Sequence, residues 1–271
     1  MYTLTSESLE VSILDPVADQ GRFGVRYCTG GYIFQIVDAH HGPLLSGPTY
    51  PDDFNWFDGQ GIPDAFNLGP LRDQTDPDPR TLIIGVGLCD LPMKQVAEFC
   101  RWEVQQQASD ISMRTTQAFG RFALELERTV SLHGRTVRST TRLRNRGAFP
   151  IPIRWFPHPF FPHPETDELC RFNIPVSMPA NPSYEVAESG FIVRKGWPWE
   201  DGRFQSLDHA AQTNLVVLQK HPSLGLVAAT CSYIPSFFPI WGNRQTFSWE
   251  PYLERTIGAG QETTWWIDYD F

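Results

Sequence analysis

The stretch that decides the fold is Arg121-Phe-Ala-Leu-Glu-Leu-Glu-Arg-Thr-Val-Ser-Leu-His-Gly-Arg-Thr-Val-Arg-Ser-Thr-Thr-Arg-Leu-Arg-Asn-Arg146. Two runs with period-two alternation flank the dipeptide His133-Gly134, which suits a two-residue hairpin turn. With the turn placed there, the pairs on one face are Leu132 with Arg135, Val130 with Val137, Leu126 with Thr141 and Leu124 with Leu143. The pairs on the other face are Glu127 with Thr140 and Glu125 with Arg142. A one-residue slip would mix the apolar and charged faces, so the sequence predicts an antiparallel hairpin with one buried side.

Further short segments with strand-like patterns occur along most of the chain. They are Arg22–Tyr27, Tyr32–Asp38, Thr81–Leu88, Phe99–Gln106, Ile111–Gln117, Phe191–Lys195, Thr213–Gln219, Gly225–Cys231, Gln245–Glu250 and Thr264–Phe271. The best helix candidate is Leu91–Cys100, whose pattern also fits a strand. So many strands must form two packed sheets or a closed barrel to bury their faces. We therefore expect an all-β chain folded as a large antiparallel β-sandwich.

Length and composition favour one domain that comprises residues 1–271. The chain is 41% hydrophobic and contains no internal repeat, linker or low-complexity block. All-β sandwiches of this size are often undivided. The 23 prolines and 21 glycines are distributed along the whole chain, as expected for many short strands joined by turns.

Charge and cysteine usage restrict the partners and the compartment. The formal net charge of −9 argues against nucleic acid or an anionic membrane as the main partner, because phosphate groups require clustered Lys and Arg. The cysteines are widely spaced and form no CxxC pair, which indicates reduced thiols. They are Cys28, Cys89, Cys100, Cys170 and Cys231. Because the N-terminal segment also lacks a signal-peptide pattern, we expect a cytoplasmic protein. The sequence leaves the oligomeric state open.

Two long segments, Gly42–Arg80 and Pro157–Pro182, resist strand assignment and are therefore candidates for function. Four prolines within Arg154–Glu165 stiffen the backbone around His158 and His163. A histidine can act as a general acid or base near neutral pH. The alternative is a surface loop whose histidines only form hydrogen bonds to the backbone.

A second candidate is Glu250, within Phe247-Ser-Trp-Glu-Pro251 at the end of a predicted strand. Its neighbours Trp249 and Pro251 would remove water from the carboxyl group and raise its pKa toward that of a general base. The alternative is an edge-strand glutamate in solvent or in an ion pair.

The His158-Pro-Phe-Phe segment resembles the "HPYF" signature of bacterial sugar mutarotases. Phe247–Phe271 resembles the C-terminal part of the galactose mutarotase (aldose 1-epimerase) superfamily. In that superfamily a strand ends at the catalytic glutamate and a "PGE" turn precedes the last strand; the turn here reads Ile257-Gly-Ala-Gly-Gln-Glu262. Weaker similarities lie at Thr29–Ile36, Pro43–Gly47 and Ser206–His209.

The resemblance implies a galactose mutarotase-like supersandwich that binds a small sugar or sugar phosphate. It implies that Glu250 takes the proton from the anomeric hydroxyl while His158 donates one to the ring oxygen. The ring then opens and recloses as the other anomer. Neither a metal ion nor another cofactor is expected, and no established metal-ligand spacing occurs.

The chain departs from the superfamily at an upstream His-Gly-Phe-x-Arg-like segment, which Phe54–Asn67 replaces. The expected substrate-binding residues are Gln60, Asp64, Asn67, Arg72, Phe160, His163, Asp208 and Trp241. Absence of the upstream histidine leaves two alternatives open. One is a non-catalytic carbohydrate-binding protein. The other is a lyase or isomerase on the same scaffold acting on an acidic sugar, with Arg72, Arg154 and Arg244 as partners of the anionic group.

Overall fold

The computed structural model describes residues 1–73 and 79–271. The strands in the first half are β1 (Tyr2–Thr5), β2 (Leu9–Ile13), β3 (Ile33–Asp38), β4 (Gly42–Pro43), β5 (Asp64–Ala65), β6 (Thr81–Ile83), β7 (Gly87–Asp90), β8 (Gln95–Phe99), β9 (Glu103–Gln106), β10 (Asp110–Phe119), β11 (Phe122–His133) and β12 (Thr136–Asn145). The remaining strands are β13 (Ile151–Pro157), β14 (Phe161–Pro162), β15 (Glu168–Phe172), β16 (Val176–Ser177), β17 (Tyr184–Val186), β18 (Phe191–Arg194), β19 (Arg203–His209), β20 (Val216–His221), β21 (Gly225–Cys231), β22 (Phe238–Gly242), β23 (Thr246–Trp249), β24 (Leu253–Ile257) and β25 (Glu262–Asp270). The one helical segment in the described ranges is the 3₁₀ turn Gln20–Arg22, and no helix there is long and apolar enough to cross a membrane.

The strands form one large sheet and four smaller ones. The large sheet has ten strands in the order β17-β18-β15-β20-β21-β25-β12-β11-β10-β9. The smaller sheets have the orders β1-β2-β3-β4, β6-β7-β8, β24-β13-β5 and β14-β23-β22-β19-β16. Neighbouring strands are antiparallel. The predicted all-β antiparallel sandwich is therefore confirmed.

The centre of the large sheet is the hairpin of β11 and β12, joined on its other side to β25. Alternate side chains of these strands are buried in a common core, among them Leu124, Leu126 and Val130. Burying one such aliphatic side chain contributes roughly 1.5–3 kcal/mol. The predicted strand Thr264–Phe271 is also confirmed, and its alternate residues Trp265, Ile267 and Tyr269 face this core.

The hairpin register differs from the predicted one by two residues. The turn consists of Gly134-Arg135, and Leu132 pairs with Val137 rather than with Arg135. Gly134 has a φ of +61°, the left-handed conformation that a type II′ turn requires at its first central position. A shift of two residues preserves the period of the strand, so the apolar and charged faces are as predicted although the individual pairs are not.

Three predictions of secondary structure in the N-terminal half of the chain are wrong. Thr81–Leu88 is not one strand: β6 and β7 pair with each other around Gly85, whose φ of +75° turns the chain. Leu91–Cys100 is not a helix, because it consists of a turn followed by β8. Arg22–Tyr27 is not a strand but a loop that leads away from the 3₁₀ turn.

The two long segments contain more regular structure than expected. Pro157–Pro182 includes β14, β15 and β16, of which β15 belongs to the large sheet. Gly42–Arg80 includes β4 and β5, and its residues 74–78 lie outside the described part of the chain. The prolines and aromatic residues obscured these short strands, because pairing partners distant in sequence stabilise them rather than local pattern.

Candidate active site

His158 and Glu250 meet where strands of two different sheets end. His158 follows β13, and its backbone N–H donates to the carbonyl of Pro63 at 2.8 Å. Glu250 follows β23, and its backbone N–H donates to the carbonyl of Pro239 at 2.9 Å. Their side chains are in contact, with 3.3 Å between His158 Nε2 and Glu250 Oε1. The two predicted catalytic residues are thus brought together by backbone-anchored positions.

Ser248 contacts the other nitrogen of the same imidazole. Its Oγ lies 2.9 Å from His158 Nδ1, and the hydroxyl group is fully buried. Residues two apart in a strand point to the same face, so Ser248 and Glu250 both face His158 while Phe247 and Trp249 face the core. Sequence reasoning missed Ser248, although its spacing from Glu250 was the signal that would have identified it.

Aromatic rings enclose the pair. Phe160 stacks on the His158 ring with 4.3 Å between centroids, and Trp241 presents an edge contact at 5.9 Å. Tyr27 makes a perpendicular contact with His158 at 6.3 Å, and its hydroxyl donates to the carbonyl of Asp58 at 3.0 Å. Only 3% of the His158 side chain and 6% of the Glu250 side chain are exposed. The pair therefore lies in a water-poor aromatic enclosure.

Burial sets the protonation of both groups. It raises the pKa of Glu250 from its ordinary 4.5 to about 8, against an opposing effect of the Arg26 guanidinium. It lowers the pKa of His158 well below its ordinary 6.5, and Arg26 lowers it further. Burial thus favours the uncharged form of each group, a protonated Glu250 carboxyl beside a neutral His158 imidazole.

Arg26 is a half-buried cation at the edge of the enclosure. Its Nη1 donates to the carbonyl of Phe57 at 2.6 Å, and its guanidinium lies 4.9 Å from the ring centroids of both Tyr27 and Phe57. It forms no ion pair with a carboxylate in the part of the chain that the structure describes. Neither Arg26 nor Tyr27 was identified as a site residue from the sequence, because their segment has a strand-like pattern and folds as a loop.

Two of the expected substrate-binding residues, Phe160 and Trp241, contact His158 directly. A third, Gln60, is buried, and its backbone N–H donates to the hydroxyl of Tyr32, whose ring is 6.0 Å from that of Tyr27.

The carboxylate of Asp64 does not contact the pair. Instead it forms a buried ion pair with Arg128, a core residue that also donates to Thr141. The ion pair gives Asp64 a structural role, because a buried guanidinium requires a buried anion, and its predicted contact with a substrate stays a prediction. Asp64 still supports the site through its strand, since β5 pairs with the end of β13 at Pro157.

Four further expected residues lie apart from the pair. Arg72 is exposed, in a surface groove that it shares with Arg121 and Phe149. Asp208 is exposed on β19 opposite Ser177, and Asn67 is half-buried without a contact to the pair among the described residues. The remaining one, His163, has its Nε2 on the carbonyl of Asn243 at 2.7 Å and its ring against Trp197. Within residues 1–73 and 79–271, no group of three or more His, Cys, Asp or Glu side chains is arranged to hold a metal ion.

The sequence matches no protein-family model and no curated protein. The structure is similar to that of a galactose mutarotase related enzyme from Lactobacillus acidophilus, with 13% identity, a TM-score of 0.57, and coverage of 99% of this chain and 96% of that one. A galactose mutarotase-like protein from Lactobacillus casei ATCC 334 has 12% identity, a TM-score of 0.58 and coverage of 100% and 99%. A proposed aldose 1-epimerase from Escherichia coli K12 has 13% identity, a TM-score of 0.60 and coverage of 99% and 97%. The chain has the galactose mutarotase-like fold.

Proposed function

We propose that the protein is an aldose 1-epimerase that interconverts the anomers of a small sugar or sugar phosphate, and that residues 1–271 act as one carbohydrate-binding domain. The observation that carries the proposal is the buried contact of 3.3 Å between His158 Nε2 and Glu250 Oε1. The fold supports it, because an Escherichia coli protein with this fold is itself proposed to be an aldose 1-epimerase.

The reaction requires an acid and a base close together. The anomeric hydroxyl oxygen and the ring oxygen are bonded to the same carbon, so the groups that serve them must be neighbours. The Glu250 carboxylate takes the anomeric proton while His158 Nε2–H protonates the ring oxygen; the ring C–O bond breaks and an aldehyde forms. After rotation about the next C–C bond, the new hydroxyl attacks the other face of the aldehyde. It returns its proton to His158, and Glu250 protonates the new anomeric oxygen.

His158 and Glu250 together hold one transferable proton, which is the number that the reaction needs. Protonated Glu250 with neutral His158, and ionised Glu250 with protonated His158, contain the same number of protons. Transfer along their contact interconverts the two forms without exchange with solvent. Because burial raises the pKa of Glu250 to about 8 and lowers that of His158, this one-proton state is the dominant one around neutral pH.

Entry of a sugar requires that part of the aromatic enclosure move, since both side chains are almost fully buried. The covering residue with a partly exposed ring is Trp241, and Tyr27 is held by a single hydrogen bond to the loop carbonyl of Asp58. Displacement of these two rings would expose the pair. Closed again, the same rings would pack against the C–H faces of a sugar and exclude water from the acid and base.

The proposal is tested by dissolving single anomers of glucose, galactose and their 6-phosphates and following anomer exchange by NMR. We expect the wild-type protein to accelerate exchange of at least one sugar, and His158→Ala and Glu250→Ala each to abolish the acceleration. A matched control is Glu254→Gln, at an exposed glutamate that pairs with Arg154. No acceleration by the wild type over buffer refutes the enzymatic proposal. If sugar binding is then still detected, the protein is a non-catalytic carbohydrate-binding protein.

A further inference from the structure

The hydroxyl group of Ser248 completes a buried chain from Ser248 through His158 to Glu250. We propose that Ser248 is a positioning residue that stabilises both neutral tautomers of His158: its oxygen accepts the Nδ1–H of the one-proton state that the reaction uses, and its O–H donates to Nδ1 once that proton has been lost. The catalytic part of this inference rests on the proposed function. The tautomeric part concerns the folded protein alone and is measurable without any substrate.

A serine hydroxyl differs from the usual partners of a buried histidine because it both donates and accepts, and it rotates to do so. The other buried histidine with a contact at each ring nitrogen shows the contrast. His221 Nε2 donates to the carbonyl of Leu44 at 2.9 Å, while its Nδ1 accepts the backbone N–H groups of Ser223 and Leu224, each at 3.2 Å. Those partners fix His221 in the Nε2–H tautomer, whereas nothing in the Ser248 contact fixes His158.

The tautomer of His158 is coupled to the charge of Glu250. When Glu250 is protonated, its hydroxyl donates to Nε2, so the imidazole hydrogen is on Nδ1 and donates to Ser248 Oγ. When Glu250 is ionised, Nε2 must carry the hydrogen and donate to the carboxylate, so Nδ1 accepts the Ser248 hydroxyl. Each loss of the Glu250 proton therefore reverses the direction of the hydrogen bond to Ser248.

Other titratable or charged groups close to the pair are Tyr27, Tyr184, Tyr252 and Arg26. Burial raises the pKa of all three tyrosines, so they remain neutral through the neutral and mildly alkaline range. The guanidinium remains charged throughout. A tautomer change in this range therefore reports on Glu250 and His158.

Ser248→Ala removes the partner of Nδ1, whereas Ser248→Thr keeps a hydroxyl group at that position. Without the hydroxyl, an Nδ1–H group would be a buried donor with no acceptor, which is less favourable than a bare lone pair. We expect His158 in Ser248→Ala to hold the Nε2–H tautomer and Glu250 to ionise at lower pH. The alkaline fall in kcat then moves to lower pH, and kcat drops about 10- to 100-fold with KM nearly unchanged. In Ser248→Thr we expect the wild-type kcat and the wild-type pH of the alkaline fall.

The experiment is ¹⁵N NMR of histidine-labelled protein between pH 6 and 9, in parallel with kcat over the same range. The His158 signals are assigned by their loss in His158→Gln, and His221 is the internal reference that keeps one tautomer. Thr246→Val is the matched control on the same strand, because it removes a buried hydroxyl that bonds to the carbonyl of Phe161 instead. We expect a switch from Nδ1–H to Nε2–H in the wild type and in Ser248→Thr, but not in Ser248→Ala.

A single His158 tautomer over the whole range in the wild type overturns the proposal. So does a shift of the kcat profile in Thr246→Val as large as that in Ser248→Ala, because the effect would then be one of general stability. If the wild type accelerates no anomer exchange, the proposed function fails. The NMR titration then still decides the role of Ser248, in favour if the switch depends on the hydroxyl and against if it does not.

Discussion

Replacing Glu250 with glutamine isolates the energetic effect of burying an ionisable group beside His158. The amide is nearly isosteric and its N–H still donates to Nε2, so the packing is retained while the ionisation is removed. The pKa of Glu250 is about 8 in the folded protein against 4.5 ordinarily. At roughly 1.4 kcal/mol per pKa unit, the protonated carboxyl stabilises the folded state by about 5 kcal/mol relative to the ionised one.

The sign follows from which state holds the proton. Between pH 4.5 and about 8 the unfolded chain has lost the Glu250 proton while the folded protein keeps it, so folding stability declines as the pH rises. The contribution is fully present below pH 4.5 and is lost by about pH 8. His158 acts in the opposite sense, because its lowered pKa removes stability as the pH falls below 6.5. His158 is present in both proteins, so the unfolding free energy of Glu250→Gln minus that of the wild type isolates the contribution of Glu250 at each pH.

The assay is urea denaturation of both proteins at half-unit steps from pH 4.5 to 9. We expect the unfolding free energy of Glu250→Gln minus that of the wild type to rise steadily and reach a plateau near pH 8. The control is Glu254→Gln, the same substitution at a side chain that is 45% exposed. A flat difference for Glu250→Gln would mean that Glu250 is ionised in the folded protein across this range, and the electrostatic account of the site would be refuted.

Three further predictions concern the same region. Anomer exchange should be level around neutral pH and fall above pH about 8, as the pair of His158 and Glu250 loses its shared proton; a kcat profile without this fall contradicts it. Arg128→Met should reduce the unfolding free energy by about 3–5 kcal/mol because the carboxylate of Asp64 is left buried without a partner, and adding Asp64→Asn should recover part of the loss in urea denaturation. Arg26→Gln should raise KM for sugar 6-phosphates about tenfold and leave KM for the neutral sugars within about twofold, since only the phosphate gains a charge-assisted hydrogen bond; equal changes for both would exclude Arg26 as an anion contact.

The fold could be predicted because the period of two in the hairpin and in the last strand is a local property of the sequence. The register of the β11–β12 hairpin could not be predicted, because two alignments that differ by two residues place the same side chains on the same faces. The conformation of Gly134 decides between them. Leu91–Cys100 failed for a related reason: a short apolar pattern fits helix and strand alike, and only its pairing with β7 selects the strand.

The sequence allowed us to predict the site residues that lie at the end of a strand. It did not allow us to predict the site residues that lie in a loop. His158 and Glu250 follow recognisable motifs, and Ser248 could have been added from its spacing of two residues. The folded path of their loop brings Tyr27 against His158 and Arg26 against Tyr27, which no local pattern could indicate. The ion pair of Asp64 had a visible signal in the sequence, because Arg128 interrupts the apolar face of β11 and a buried cation needs an anion from elsewhere in the chain.

Three separable features determine the properties of the pair. Backbone hydrogen bonds to Pro63 and Pro239 set the positions of His158 and Glu250, burial sets their protonation, and the hydroxyl of Ser248 is a partner for Nδ1 of His158 in either tautomer. Because the positions depend on the backbone, substitutions at Ser248 or Glu250 that conserve volume should change protonation before they change geometry. A change in the pH dependence of anomer exchange without a change in KM is therefore the expected signature of this site, whereas a structural role alone would alter both together.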